Sequence, residues 1–198
     1  MGTRNLTCVM LDGQFKLSQY GQWDGYPTGQ GQTIVDFLKE KFNKEKFVSQ
    51  INRLHMLTPE QVQWRWKQAG ADDSGYVNME VSDKFKAKNA HLNRDIGAGI
   101  LEYIQEASTP ESLPPDLDFA ADSLFCEFLY ILNLDSNELE IYKGFNREPL
   151  AENERFYFLQ DKAKDGYYPV RLMRKWKFEE LTPNTMKELE DEMNKDRE

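Results

Sequence analysis

Cysteine, histidine, long apolar runs and an excess of basic residues are all scarce in this sequence, and each scarcity removes a class of function. There are two cysteines, Cys8 and Cys126, in 198 residues. Both sit in apolar strand-like runs without CxxC spacing, which points to buried free thiols in a reducing compartment and makes a cytoplasmic protein the expectation. The two histidines, His55 and His91, form no HxxxH pair, so neither a metal site nor a cofactor is expected. No stretch approaches the roughly 18 apolar residues of a membrane span, and the start of the chain lacks the charged-then-apolar pattern of a signal peptide. Met1 and Gly2 open a myristoylation pattern, yet Leu6 occupies the position that needs Ser or Thr. Lys and Arg number 25 against 34 Asp and Glu, a net charge of −9. Binding to a phosphate backbone depends on clustered cations, so a nucleic-acid partner is not expected. The longest basic-aromatic segment, with Arg171, Arg174, Lys175 and Lys177 around Trp176, runs straight into residues 179–198, which carry a net −5. It reads either as a local anion patch or, as the acidic segment directly after it favours, as a solvated strand edge facing an acidic helix.

Only 12 glycines and 8 prolines are present, while 13% of residues are aromatic. Collagen-like, low-complexity and disordered classes are thereby excluded. The expectation is one globular domain over 1–198 with an acidic C-terminal helix within 179–198. Leu6, Cys8 and Met10 alternate before the turn dipeptide Asp12-Gly13, and Phe15 and Leu17 alternate after it, which predicts a hairpin. From Gln32 the period becomes helical, through Ile34, Val35, Phe37, Leu38 and Phe42, then Phe47, Val48, Ile51 and Leu54. Thr58, Pro59 and Gln61 have capping-box spacing, so a helix starts there and ends near Gly70. Further helices are expected over 80–91 and 95–106. After an acidic connector at 109–122, the run 124–134 is apolar at nearly every position, as a central strand covered on both faces requires. More strands are expected around Leu139 and Ile141, at 154–160 and at 167–177, and Thr182-Pro183 caps a final helix. Strands at both ends of a helical middle give an α+β class: one mostly antiparallel sheet, formed by the N-terminal hairpin and C-terminal strands, with helices against it.

Residues 20–31 hold four glycines, one proline and the rings of Tyr20, Trp23 and Tyr26. Such a segment is expected to be irregular, with backbone that turns sharply or approaches another group closely. Aromatics in a polar loop either pack down onto the core or form a platform for a ligand. Asp24 lies among them and has two readings: a general base or hydroxyl acceptor, or the cap of a turn. Gln22, Gln30 and the N–H groups of the following helix would complete a site, and those N–H groups would favour an anion. The glycine spacing matches neither the dinucleotide fingerprint nor the P-loop.

The residues 2–6 (Gly-Thr-Arg-Asn-Leu), Asp12-Gly13, 19–27 (Gln-Tyr-Gly-Gln-Trp-Asp-Gly-Tyr-Pro) and 29–31 (Gly-Gln-Gly) resemble a family of uncharacterised proteins from bacteria, their phages and fungi. The likeness extends to Arg94-Asp95, 119–127, 142–145 and 168–170. The family has no established activity, so the resemblance implies no catalytic residue.

Glu127 follows Cys126 within the apolar run, and a carboxylate there is costly to bury unless paired, with Arg4 or Arg94 as the candidate partner. It reads either as a salt-bridged structural residue or as an acid/base partner of Asp24. A Cys126–His pair lacks any recognisable spacing, and an N-terminal nucleophile fails because Gly2 has no side chain. Two functions from different classes remain. One is binding of a small polar ligand, nucleotide- or sugar-like, stacked on Tyr20, Trp23 or Tyr26, held by Gln22, Gln30 and Arg4, with hydrolase or transferase chemistry at Asp24 and Glu127. The other is a protein-interaction or inhibitor module that uses the same loop and an acidic surface.

Overall fold

A computed structural model describes residues 2–74 and 76–195. Seven strands are present among them: β1 (Asn5–Leu11), β2 (Gln14–Gly21), β3 (His55–Met56), β4 (Ser112–Leu113), β5 (Phe128–Asn133), β6 (Glu138–Lys143) and β7 (Arg171–Lys177). Five of them form one sheet in the order β2-β1-β5-β6-β7, and β3 pairs with β4 alone. The β1–β5 pair is parallel and the other three pairs of the large sheet are antiparallel. The class is α+β, as the order of patterns along the chain implied.

The N-terminal hairpin closes through Asp12 (φ 56°) and Gly13 (φ 68°) with Leu11 opposite Gln14. Two consecutive positive φ values make the tight turn that matches strand twist, which Asp-Gly tolerates best. The Asp135 carboxylate in the next hairpin accepts the Asp12 and Gly13 N–H groups at 2.8 and 2.9 Å, fastening the two turns together.

The helices are α1 (Gln32–Asp36), α2 (Lys44–Ile51), α3 (Pro59–Ala69), α4 (Met79–Lys88), α5 (Ile100–Glu106) and α6 (Thr185–Lys195). Thr58 and Gln61 form the reciprocal capping box of α3, and Gly70 ends it at φ 108°, where a left-handed backbone favours glycine. Asn43 and Asn78 cap α2 and α4. One face of the sheet, with Val9, Tyr130, Leu132 and Ile141, packs under α1, α2, α5 and α6. The other, with Leu6, Cys8, Leu129, Ile131 and Tyr142, is covered by the 3-10 turns Asp116–Ala121 and Tyr157–Lys162 and by Leu150 and Val170. All residues of β1 and β5 are therefore buried, which explains the unbroken apolar run.

Two expectations need correction. Residues 154–160 do not form a strand: Tyr157–Lys162 is a 3-10 turn, because Phe156 and Leu159, three apart, both point onto the second sheet face. The segment 20–32 is also more regular than its glycines implied. Tyr20 and Gly21 end β2, and Pro27–Gly31 is a π-helical turn that continues into α1. β7, by contrast, is the edge strand expected, and Arg174 pairs with Glu192 of the acidic helix at 2.9 Å. Residues 196–198 of the expected acidic helix lie outside those described.

Candidate functional site at the aromatic end of the sheet

Sheet register gathers the predicted site. Gly21, Asn5, Phe128, Lys143 and Arg171 stand in one row across the five strands. Residues 22–26, Arg4, 125–127 and 144–145 consequently all leave the sheet at the same end.

Much of the loop's chemistry is directed inward. The Asn5 side-chain amide donates to the carbonyls of Gly21 and Trp23, both at 3.3 Å. The buried Tyr130 hydroxyl donates to the Gly25 carbonyl at 2.7 Å, and burial pushes its pKa well up. Gln30 donates to the Trp23 carbonyl at 3.1 Å and accepts from the Ala98 N–H at 2.6 Å. Gln22 accepts from the Tyr20 hydroxyl at 2.6 Å. A Cβ on Gly25 would lie 2.7 Å from the Thr3 carbonyl oxygen, and one on Gly29 2.1 Å from that of Asp24. These glycines serve close packing of the chain against itself. The expected anion site at the helix start is filled by the protein: both the Thr28 N–H and its hydroxyl donate to Glu190 of α6, at 2.9 and 2.5 Å.

What remains outside this network is aromatic. Trp23 is 46% exposed and Tyr26 43%, so neither is a plug of the core, although the Trp23 ring N–H donates to Asp95 at 3.0 Å. Tyr20 is turned the other way, edge-on to Phe119. Two rings that the sequence did not single out, Phe125 (43% exposed) and Phe145 (49%), belong to the same end. Phe145 has φ 56°, a left-handed conformation unfavourable for a bulky residue, and Asp24 has φ 54°, which its short polar side chain tolerates better. Gly144 precedes Phe145 so closely packed that a Cβ would meet the Cys126 carbonyl oxygen at 2.1 Å.

Arg4 and Glu127 do come together with the loop, though not as an ion pair. The Arg4 guanidinium lies over the Phe125 ring, 4.5 Å from its centroid, while Glu127 accepts from the Arg4 backbone N–H at 3.4 Å. Glu127 is only half-buried, because β5 begins one residue later. The buried carboxylate of the sheet is instead Glu140. It accepts from Asn133, Tyr142 and two nitrogens of Arg155 at 2.6–3.0 Å, and with four donors it has no capacity left for a ligand.

Nucleophilic chemistry at cysteine finds no support. Cys8 and Cys126 are buried, burial pushes both thiols well up, and Cys126 donates to the Phe128 carbonyl at 3.6 Å. His91 stacks on Tyr103 and lies 3.6 Å from Glu111, with burial pulling its pKa down. Among the described residues no group of His, Cys, Asp and Glu is placed to hold a metal ion, and no helix is long and apolar enough to cross a membrane.

The perturbed acid that sequence reasoning missed is Asp116. Burial raises its pKa to about 6, opposed by a 3.1 Å bond from the Tyr20 N–H. With Tyr20, Pro115, Asp118, Phe119 and Asp122 it lines an open cleft of about 470 Å³. Its one signal in the sequence is the Pro114-Pro115-Asp116 step in the acidic connector.

No family model, no curated protein and no solved structure matches this chain.

Proposed function

We propose that this chain is a protein-interaction module whose partner docks on the end of the sheet that carries Trp23, Tyr26, Phe125 and Phe145. The observation that carries this reading is the contrast between the loop's backbone and its rings. The backbone of 20–31 is locked by Asn5, Gln30 and Tyr130, while four aromatic side chains at the same end of the sheet remain nearly half exposed. Rings held in place before association lose little entropy on docking, and Trp and Tyr are the favoured anchors of interfaces. The acidic helix α6, joined to the loop through Thr28 and Glu190, supplies the polar rim and favours a partner segment with Lys or Arg beside its apolar residues.

The same proposal places the protein in the cytoplasm, in keeping with two reduced buried thiols, with no nucleic-acid partner, in keeping with the net −9. It also keeps the chain in the uncharacterised family that shares the 19–31 motif.

One observation favours a second reading, a small polar ligand: Asp24 is exposed between Trp23 and Tyr26 in the chain, where it could accept a hydroxyl or amine. Comparative affinity capture with wild type and Trp23→Ser/Tyr26→Ser, followed by titration of the purified partner, separates the two. Loss of an anchor is expected to weaken the partner's binding by at least about 2 kcal/mol, with an unchanged circular-dichroism spectrum. A purified partner that binds both proteins equally would refute the docking surface. A thermal shift with a nucleotide or sugar that vanishes in Asp24→Asn would instead establish the small-ligand reading.

A further inference from the structure

A second concave site stands apart from the aromatic end and from the proposed docking. Between α3 and the chain at 114–116 lies a cavity of about 520 Å³, walled by Leu57, Val62, Trp66, Val77 and Pro115, with Asp116 at its edge. Its size and apolar walls are those of a small-molecule site. Trp66 is held rigidly by stacking on Phe85, the ring centroids 3.7 Å apart and the planes within 7°. The other charged groups in the wall are already engaged: Lys67 pairs with Asp73 at 2.6 Å, and the Asp72 carboxylate accepts from Ser74.

Asp116 differs from them. It is half-buried, accepts a single backbone N–H, from Tyr20, and forms no ion pair among the described residues. Pro115 and Asp116 also form the partition between this cavity and the cleft that holds Tyr20, Phe119, Asp118 and Asp122. Of the three carboxylates around that partition, Asp118 has a cation, Lys162, at 2.6 Å. A desolvated anion beside aromatic rings and further carboxylates favours a positive ligand group, both by charge and by contact of the cation with ring faces.

We propose that this cavity binds a small organic ammonium ion, with an aryl or alkyl body against Trp66, Val62 and Leu57 and a protonated amine on Asp116. An organic anion is disfavoured by the same carboxylates, and a neutral molecule of the same shape gains only the apolar part.

The test is a titration of the isotope-labelled protein with phenylbutylamine, phenylbutanol and phenylbutyrate, followed by amide chemical shifts. The amine is expected to shift amides at 57–66 and 114–116 in a saturable manner, with the alcohol about tenfold weaker and the carboxylate weaker still. Asp116→Asn keeps an acceptor for the Tyr20 N–H and is expected to fold. It should reduce the amine to the affinity of the alcohol and leave the alcohol unchanged. Val62→Trp, which fills the cavity, should abolish both. Equal binding of the three probes, an amine affinity unaltered by Asp116→Asn, shifts that map elsewhere, or no saturable shift would each overturn the proposal. A failure of the aromatic end to capture a partner would leave it standing.

Discussion

Replacement of Asp116 by Asn should stabilise the protein, and should do so only above a definite pH. The ordinary carboxyl pKa of 3.8 is raised by burial to about 6 in the folded chain. Between these values the native state holds a proton that the unfolded chain has lost, so stability falls as pH rises from about 4 to 6. Above 6 the full penalty is present, and below 3.8 it is absent, the reverse of a carboxylate paired with a cation. The gap corresponds to about 3 kcal/mol. Some of it returns when a charged acceptor of the Tyr20 N–H becomes a neutral amide, so a gain of about 2 kcal/mol is expected for Asp116→Asn at pH 7.5. For a domain of this size that is a rise in Tm of roughly 4–8 °C. Urea unfolding of both proteins from pH 3.5 to 8 measures it directly. The two stability curves should coincide at the acid end and diverge through pH 4–6. A difference that is constant with pH, or an Asn variant less stable at pH 7.5, would refute the assignment of a desolvated, unpaired carboxylate.

Three other outcomes follow from the packing. Glu140→Gln leaves the Arg155 guanidinium without its counter-charge and should cost about 3 kcal/mol in denaturant unfolding; a loss under about 1 kcal/mol would mean that the network contributes little. Gly29→Ala forces a Cβ into the Asp24 carbonyl oxygen and should cost about 2 kcal/mol. Gly13→Ala, with open space but φ 68°, should cost nearer 1 kcal/mol, and equal losses would show that crowding is not what fixes glycine in the loop. Cys8 and Cys126 should resist alkylation at pH 8 in the native protein and react once it is unfolded; rapid labelling of the native form would contradict their burial.

Local chemistry was legible wherever a few neighbouring residues decide the outcome. Asp12-Gly13 dictated its turn, Thr58 and Gln61 their cap, and the apolar run before Leu134 a strand covered on both faces. Where a distant residue decides, the pattern misled. Nothing beside Glu140 in the sequence marks its burial: the second sheet face is roofed over, and Arg155 arrives fifteen positions later to neutralise it. Glu127 looked like the buried acid because nothing local marks Phe128 as the first residue of β5. The glycines of the loop were correctly seen as points of close approach, but the approaching groups are the protein's own carbonyls, which sequence cannot distinguish from a ligand. Phe125 and Phe145 escaped notice because only sheet register brings them to the same end as Trp23.

The parallel pairing of β1 with β5 also has a consequence for synthesis. Asn5 meets Phe128 across a separation of 123 residues, so the first strand made must wait for the fifth. At translation rates of about 5–20 residues per second the interval is roughly 6–25 s. Throughout it the apolar side chains of β1, every one of them buried in the finished sheet, have no permanent cover on one edge. The hairpin can close early, but its inner edge stays open to pairing with other chains. Newly made protein is therefore expected to depend on a holding chaperone until the segment through Asn133 emerges from the ribosome, and any stall in the helical middle would lengthen that exposure.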